Sequence, residues 1–517
     1  MKTGTRVASG TAIVLLTSIL VAACAGNGFA QRWLPASSSM RALAVPEPIQ
    51  LKWKISEAFT LTATTVIILP TTSSQEERNI AAWLKQGLYK LHGVNPEMMV
   101  TDLIPEKNAI VVGLASNAAL KGLVPSLSTA DFGSSPEQSY VLSVSPGRTC
   151  LIGNGIQGLK CGAQTLLQVI SIDAYTATSV VPPIEIVDFP SASMRAFLLP
   201  LRGYRFREQV WDARAVIDMA EMLHMNTMIV QVDDAIKFNS APGVGRTDAL
   251  ARDTLRALVE YARAAGFEVI PLIDTFSHQD VLLCPAYPDL CLDKNTYDPS
   301  NPKVYARLFG IIDEILEIFE PKYMHIGHDE IRAFSNMPKE KAAKLFLSDI
   351  REIHAYLEQK NVQTMMWAGM LLSSTQFQGQ DNCNGLLGNT YALIDSLPKD
   401  IILVDAHYKQ RKPDFPTVDY LLSKGFRVVG CTYNDLQATN NFGKYVADKD
   451  GRFLGMTVAL WNCFNYSGMG TPRKILREGA EAFWRGGAPP LDPTGKEIPP
   501  NFRRHPYIND PFESPEY

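Results

Sequence analysis

The sequence YMHIGHDE, residues Tyr323–Glu330, places two adjacent carboxylates, Asp329 and Glu330, directly after a short apolar segment and a glycine. Side chains on a regular strand point alternately to opposite faces, so neighbouring carboxylates can share a pocket only where the strand ends. Catalytic residues commonly occupy such positions, at the carboxyl ends of the strands in a parallel barrel. The alternative is a solvated acidic pair in a turn, because acidic side chains usually lie outside.

The chain around this motif alternates strands and helices, which predicts an α/β fold with a parallel (β/α)8 barrel, the TIM barrel, over residues 189–489. Eight short strand candidates recur along it: Met194–Leu199, Thr227–Val232, Glu268–Ile273, Tyr323–Ile326, Gln363–Trp367, Ile401–Val404, Arg427–Cys431 and Met456–Leu460. The clearest helical segments between them are Val210–Leu223, Asp253–Ala265, Val304–Phe319 and Lys339–Gln359. An open doubly wound sheet is the alternative, but its usual glycine-rich phosphate loop does not follow the first strand.

A smaller α/β domain, a sheet with helices, is predicted before the barrel, over residues 51–188. Thr65–Leu69 is rich in β-branched residues, as in a strand, whereas Glu76–Leu91 has apolar residues at helical spacing. Residues 31–50 carry the prolines and serines of a linker, and residues 490–517 form a proline-rich tail.

Residues 1–30 have the composition of a targeting signal, in which two basic residues precede an apolar stretch, Thr11–Ala23, that is too short for a membrane span. The stretch ends in VAAC, which resembles a bacterial lipobox with Cys24 as the lipidated residue. We therefore expect export to the periplasm or cell envelope and membrane attachment through Cys24. An ordinary signal peptide cleaved after Ala30 is the alternative.

The bulk composition excludes some function classes. Of the 517 residues, 46% are hydrophobic and 20% are charged, which is typical of a globular protein. The net charge is −4 and the sequence has no run of basic residues, so nucleic-acid binding is disfavoured.

A metal centre is the competing chemistry, because His278, His325, His328 and nearby aspartates could bind zinc or magnesium. The sequence has neither an HExxH motif nor closely spaced cysteine pairs of the CxxC type. We therefore predict no metal and no other cofactor. Cys284 and Cys291 bracket a short loop that contains proline, and they form either a disulfide or two separate buried thiols.

Polar and aromatic residues collect at the strands of the predicted barrel, where function is expected. Besides Asp329 and Glu330, the candidates are Arg195, Asp233, Asp234, His278, Trp367, Tyr433 and Trp461. Carboxylates near a histidine can have pKa values moved apart, as acid/base catalysis requires, and tryptophan faces pack on sugar rings. The set predicts glycoside hydrolysis, although either tryptophan could instead be a core residue.

Four stretches resemble glycoside hydrolase family 20, the β-N-acetylhexosaminidases. YMHIGHDE resembles that family's HxGGDE motif, with His328 in place of the second glycine. Gly266–His278 and Met219–Asp234 are similar to its third and second barrel strands, and Gly158–Gln168 is similar to a helix of its N-terminal domain. The resemblance covers roughly residues 55–490, with both domains in the same order.

The resemblance implies a retaining exo-glycosidase that removes terminal β-linked N-acetylhexosamine from a glycan or oligosaccharide by substrate-assisted catalysis. Glu330 matches the general acid, and Asp329 matches the residue that orients the 2-acetamido group and stabilises the oxazolinium intermediate. The implied substrate-binding residues are Arg195 at sugar hydroxyls, His278 in a dyad with Asp233 or Asp234, Trp367 and Trp461 as pocket walls, and Tyr433 at the acetamido oxygen.

The chain also departs from the family pattern. The family often has an acidic residue about two positions after the fifth-strand tryptophan, where this chain has Ala368, Gly369 and Met370. Asn462 and Cys463 replace a Gly-Glu type pair, and the first strand lacks its usual aspartate and has Leu198, Leu199 and Pro200. These departures affect sugar-hydroxyl contacts. They leave two alternatives, a glycoside hydrolase of the same scaffold with altered sugar preference and a non-catalytic glycan-binding lipoprotein.

Overall fold

The computed structural model of the protein describes residues 44–128, 132, 135–173, 176–202, 209–449, 451–461 and 472–486. The predicted signal peptide, Cys24, most of the linker and the proline-rich tail lie outside these residues. The chain divides into two compact units, one mainly from Pro48 to Asp188 and the other mainly from Phe189 onward. Within the described residues, no helix combines the length and apolarity needed to cross a membrane.

The first unit is built on a sheet of seven strands among its described residues, in the order β1-β10-β6-β7-β5-β3-β4. The unit's strands are β1 (Gln50–Trp53), β2 (Phe59–Thr60), β3 (Val66–Leu69), β4 (Glu97–Val100), β5 (Ala109–Leu114), β6 (Tyr140–Val144), β7 (Arg148–Gly153), β8 (Ser171–Ile172), β9 (Ser179–Val181) and β10 (Ile184–Asp188). Two helices, α1 (Gln75–His92) and α2 (Ile156–Val169), contact each other and the sheet. Helix α1 begins at a capping box between Ser74 and Glu77.

The second unit is a closed barrel of eight parallel strands within its described residues. The barrel strands are β11 (Met194–Pro200), β12 (Thr227–Gln231), β13 (Glu268–Thr275), β16 (Tyr323–Gly327), β17 (Gln363–Trp367), β18 (Ile402–Ala406), β19 (Arg427–Thr432) and β20 (Phe453–Ala459), and a hairpin of β14 (Cys291–Asp293) and β15 (Thr296–Tyr297) follows β13. The helices are α3 (Gln209–Met222), α4 (Arg252–Ala264), α5 (Pro302–Phe319), α6 (Lys339–Gln359), α7 (Pro416–Ser423), α8 (Leu436–Val446) and α9 (Pro472–Arg485). The predicted fold class is confirmed.

The barrel interior is filled by apolar side chains from alternate positions of the strands, among them Ala196, Leu198, Ile270 and Leu272. Because side chains alternate along a strand, the residues between them face the surrounding helices. Burial of this core holds the eight strand ends at fixed positions, which is what a site on their rim requires.

The connection between β17 and β18 differs from the others. Its described residues form 3-10 turns at Gly369–Leu371 and Leu387–Ser396 instead of an α-helix. After β13, Cys284 and Cys291 form a disulfide, which decides between the two alternatives for this pair.

Candidate active site

The acidic pair lies in a turn directly after β16. Gly327 ends the strand with a left-handed φ of 72°, and a Cβ there would lie 2.9 Å from Oδ1 of Asp274 on β13. His328 and Glu330 also have positive φ, of 69° and 45°. Because these residues have positive φ, the strand pleat is broken at the acidic pair. For residues other than glycine, such a conformation has an energetic cost.

Asp329 and His278 face each other across the rim. Nε2 of His278 lies 3.6 Å from Oδ1 of Asp329, and the two side chains are 32% and 29% exposed. Burial alone would lower the pKa of His278, but the carboxylates of Asp329 and Asp274 outweigh it and raise the pKa to about 9. Burial alone would raise the pKa of Asp329, but His278 lowers it. At neutral pH the pair is therefore an imidazolium beside a carboxylate.

A buried charge cluster lies beneath this pair. Nη1 of Arg202 lies 2.9 Å from Oδ2 of Asp274 and 4.0 Å from Oδ2 of Asp233. Gln231 donates to Oδ2 of Asp274 at 2.8 Å, and the Asp274 backbone N–H donates to Oδ1 of Asp233 at 2.9 Å. Burial raises the pKa of both carboxyls. Arg202 supplies the positive charge that two buried acids at this distance need.

The predicted dyad of His278 with Asp233 or Asp234 is not formed as a direct contact. His278 meets Asp329, and Asp233 reaches the site through Asp274. Asp234 faces Arg246, whose Nε lies 3.5 Å from Oδ2 of Asp234, in the loop after β12.

Arg195 does not lie at the rim, so its predicted contact with sugar hydroxyls is wrong. It is the second residue of β11 and lies at the amino end of the strand, between inward-facing positions, so its side chain points to the helices. The guanidinium donates to carbonyl oxygens of Ala192 and His224 and lies 4.9 Å from the Trp484 ring centroid. Arg202, which follows the carboxyl end of the same strand, is the arginine at the site.

Aromatic side chains form one side of the rim. The ring centroids of Trp367 and Trp461 lie 6.5 Å apart at an interplanar angle of 51°. Tyr433 donates its hydroxyl hydrogen to the Trp461 carbonyl oxygen, and Nε1 of Trp461 donates to the Tyr408 hydroxyl at 3.1 Å. Trp367 is only 6% exposed, so it belongs to the barrel core and also lies at the buried end of this aromatic cluster.

The structure places residues at the site that the sequence analysis gave no role. These are Arg202, Asp274 and Tyr408, each at or just after the carboxyl end of a barrel strand. Burial raises the pKa of the Tyr408 phenol, with a contribution from the charge of Asp329. Their positions at or after the carboxyl ends of barrel strands could have identified them from the sequence. Asn462 and Cys463 lie outside the described residues. Among the residues that the structure describes, no group of three or more His, Cys, Asp or Glu side chains is arranged to hold a metal ion.

Comparison of the sequence with models of known protein families identifies the family of this chain. The model of the glycosyl hydrolase family 20 catalytic domain matches residues 237–485, and the model of that family's domain 2 matches residues 44–189. Together the two models match most of the chain, in the order of the two structural units. The chain belongs to glycoside hydrolase family 20.

Individual relatives of this family 20 chain are distant. The beta-hexosaminidase of Porphyromonas gingivalis is 24% identical over 82% of this chain and 57% of that protein. The beta-hexosaminidase subunit beta of Sus scrofa is 31% identical over 38% of this chain and 40% of that protein. The chain thus spans about half the length of these curated relatives or less.

Solved structures agree with the fold. The family 20 exo beta-N-acetylglucosaminidase of Vibrio harveyi, in complex with N-acetylglucosamine, superposes with a TM-score of 0.64 at 18% identity, covering 87% of this chain and 75% of that one. The chitobiase of Flavobacterium johnsoniae gives a TM-score of 0.64 at 21% identity, covering 86% and 69%. At these identities the likeness shows the fold alone.

Proposed function

We propose that this family 20 chain is an exo-glycosidase that removes terminal β-linked N-acetylhexosamine from glycans. The observation that carries the proposal is the turn after β16, which presents Glu330 to solvent beside an Asp329 that His278 keeps ionised. The similarity to the beta-hexosaminidase of Porphyromonas gingivalis and the exo beta-N-acetylglucosaminidase of Vibrio harveyi supports the same substrate class.

The proposed reaction retains the anomeric configuration with help from the substrate. The acetamido oxygen attacks the anomeric carbon while the glycosidic C–O bond breaks, and Glu330 gives its proton to the leaving oxygen. Water then attacks the anomeric carbon, the bond to the acetamido oxygen breaks, and Glu330 takes a proton from that water. The side chain of Glu330 is 40% exposed, so a substrate can reach it.

Asp329 is the group proposed to act on the acetamido side. As a carboxylate it accepts a hydrogen bond from the acetamido N–H and stabilises the positive charge of the oxazolinium intermediate. Its charge is present before substrate arrives, because His278 lowers its pKa against the effect of burial. Stabilisation by a fixed charge of this kind needs no rearrangement during the reaction.

The aromatic side of the rim is proposed to bind the sugar ring. Trp367 and Trp461 offer apolar faces for the ring, and Tyr433 lies beside Trp461 at the position proposed for the acetamido oxygen. Ala368, Gly369 and Met370 follow Trp367, where the family often has an acidic residue, and this removes one possible contact to sugar hydroxyls.

A panel of aryl glycosides tests the function. We expect hydrolysis of 4-nitrophenyl N-acetyl-β-glucosaminide or N-acetyl-β-galactosaminide and no hydrolysis of the matched 4-nitrophenyl β-glucoside, which lacks the acetamido nucleophile. Faster cleavage of the β-glucoside would favour the alternative of a changed sugar preference. Saccharide binding by calorimetry without any hydrolysis would favour the non-catalytic alternative.

Export and lipidation at Cys24 are proposed as well. The disulfide between Cys284 and Cys291 supports an oxidising compartment. Labelling with radioactive palmitate in a bacterial host should mark the wild-type chain and not Cys24→Ala, which should move from the membrane fraction to the soluble fraction. Equal labelling of both chains would contradict the lipid anchor.

A further inference from the structure

His328 is the residue that separates this chain from the HxGGDE pattern, and the structure buries it completely behind the acidic turn. Its ring points away from the rim, towards α6. Nε2 lies 2.9 Å from Oδ2 of Asp349, and Nδ1 lies 2.7 Å from the Thr275 hydroxyl oxygen. The rings of Phe276 and Phe346 pack edge-on against it, each with a centroid distance of 5.9 Å.

Asp349 on α6 connects this ring to two further elements. Tyr297 of β15 donates its hydroxyl hydrogen to Oδ2 at 2.8 Å, and Tyr305 of α5 donates to Oδ1 at 2.7 Å. The carboxylate is fully buried. A buried carboxylate is stable only with such partners, so His328, Tyr297 and Tyr305 form one connected network around it.

Polar neighbours on both sides fix the orientation of the His328 ring. Thr275 has one hydroxyl hydrogen, which it donates to the Ile326 carbonyl oxygen at 2.5 Å. Nδ1 of His328 must therefore carry a hydrogen and donate it to Thr275. Nε2, the second ring nitrogen, lies 2.9 Å from Oδ2 of Asp349. Both ring nitrogens thus have a polar neighbour, which fixes the orientation of the ring.

The backbone of the turn explains why such an anchor is useful. His328 and Glu330 adopt left-handed φ values that L residues rarely adopt, and Asp329 lies between them. A conformation of this kind persists only when the surrounding structure holds it. Glycine at position 328 would adopt the same φ freely but would have no side chain to hold it.

We propose that His328 is a positioning residue, which through Asp349 fixes the turn that presents Asp329 and Glu330 to the substrate. The part of the inference that concerns catalysis rests on the proposed function. The part that concerns the turn does not, because the position of Asp329 relative to His278 can be measured without any turnover.

Three variants and one control test the proposal. His328→Gly supplies the residue of the family pattern and removes the anchor, and Asp349→Asn keeps the shape of the carboxylate and removes its charge. His328→Asn tolerates positive φ and keeps a donor, so it should restore part of the effect. His354→Asn is the matched control, because His354 is also buried on α6 and contacts Thr364 at 2.9 Å near the amino end of β17.

The first readout is the titration of the His278 ring by NMR, which needs no turnover. The groups whose charge acts on this ring are Asp329, Asp274 and Arg202. If the anchor holds Asp329 in place, its loss should move the pKa of His278 from about 9 towards the ordinary value of 6.5 in His328→Gly and Asp349→Asn. The His354→Asn control should keep the wild-type titration. An unchanged pKa in both anchor variants would overturn the proposal.

The second readout is kcat/KM on aryl N-acetylglucosaminides with leaving groups from 2,4-dinitrophenol to 4-methylphenol. Poor leaving groups depend on a well-placed Glu330, so His328→Gly should lose at least about tenfold more activity on them than on the dinitrophenyl substrate. A loss of equal size on all substrates is what simple destabilisation produces, and it would overturn the catalytic part. If the wild type hydrolyses none of them, the proposed function fails, and the His278 titration alone decides the inference.

Discussion

Nε2 of His278 lies 3.6 Å from Oδ1 of Asp329, so a residue that follows β13 controls the charge of a residue that follows β16. The opposing charge keeps Asp329 ionised and keeps His278 protonated to about pH 9. The acid that moves the proton, Glu330, is the next residue along the chain. His278 and Asp329 therefore carry the fixed charges of the site, and Glu330 transfers the proton.

Glu330→Gln should lower kcat on 4-nitrophenyl N-acetyl-β-glucosaminide by about 10²–10⁴-fold, because the amide can neither give nor take the proton. The free energy of unfolding should stay within about 0.5 kcal/mol of wild type, since the side chain is partly exposed and pairs with the exposed Arg332. Steady-state kinetics and chemical denaturation measure the two quantities. Glu317→Gln, an exposed glutamate paired with Arg252, is the control and should keep full activity. A Glu330→Gln enzyme with wild-type turnover would remove Glu330 from the mechanism.

His278→Asn should change the pH profile. Without the imidazolium the pKa of Asp329 rises, so the acid limb of kcat/KM should move to higher pH, and activity at pH 7 should fall about 10- to 100-fold. The alkaline limb near pH 9, where His278 loses its proton in the wild type, should disappear. Profiles from pH 4 to pH 10 check both limbs, and an unshifted acid limb would contradict the electrostatic role of His278.

The same pair should make stability depend on pH. The folded pKa of His278, about 9, lies above its ordinary value of 6.5, so its contribution is fully present below pH 6.5 and is lost as pH rises through 9. The difference in Tm between wild type and His278→Asn should therefore shrink between pH 6.5 and pH 9.5. A constant difference across this window would show that His278 does not gain its stabilisation from a charge.

Arg202→Met should destabilise the folded protein by about 3 kcal/mol, because it removes the guanidinium beside the buried Asp233 and Asp274. The double variant Arg202→Met with Asp274→Asn should recover part of this loss, since one of the two buried carboxyl groups is then replaced by a neutral amide. Denaturation in urea measures the coupling. Strictly additive effects of the two changes would show that Arg202 and Asp274 do not depend on each other.

Arg195→Met should separate stability from catalysis. The variant loses hydrogen bonds to the Ala192 and His224 carbonyl oxygens, so we expect about 2 kcal/mol less stability. KM for the aryl substrate should not change at a temperature where the variant is folded, because the side chain points away from the rim. A KM raised tenfold would restore Arg195 to the substrate pocket.

The barrel could be predicted well from the sequence because its strands are short apolar runs that recur at regular spacing. Gln363–Trp367 and Lys339–Gln359 have the predicted bounds, and Tyr323–Ile326 ends one residue early. Local residue pattern determines such elements, since each strand must be apolar on both faces to lie between interior and helices.

The site was harder to predict because side-chain direction depends on the end of the strand and on distant partners. Arg195 was assigned to the rim because it belongs to the first strand, although it begins that strand and Arg202 follows it. His328 could not be placed from sequence, because its direction depends on Asp349, which lies 21 residues further along the chain on α6. The sequence pattern identifies candidate residues, whereas tertiary contacts decide which of them reach the pocket.

Left-handed backbone at residues other than glycine recurs on three adjacent strand ends, at Asp233, Phe276, His278, His328 and Glu330. Left-handed φ costs such a residue about 1 kcal/mol relative to glycine, but Asp233, Phe276 and His328 are fully buried, so glycine there would also lose their side-chain contacts. A directed-evolution campaign selected only for heat resistance would therefore favour glycine first at the partly exposed Glu330 and lose turnover as it did so. Ranking library members by half-life at high temperature against turnover at low temperature would reveal that exchange residue by residue.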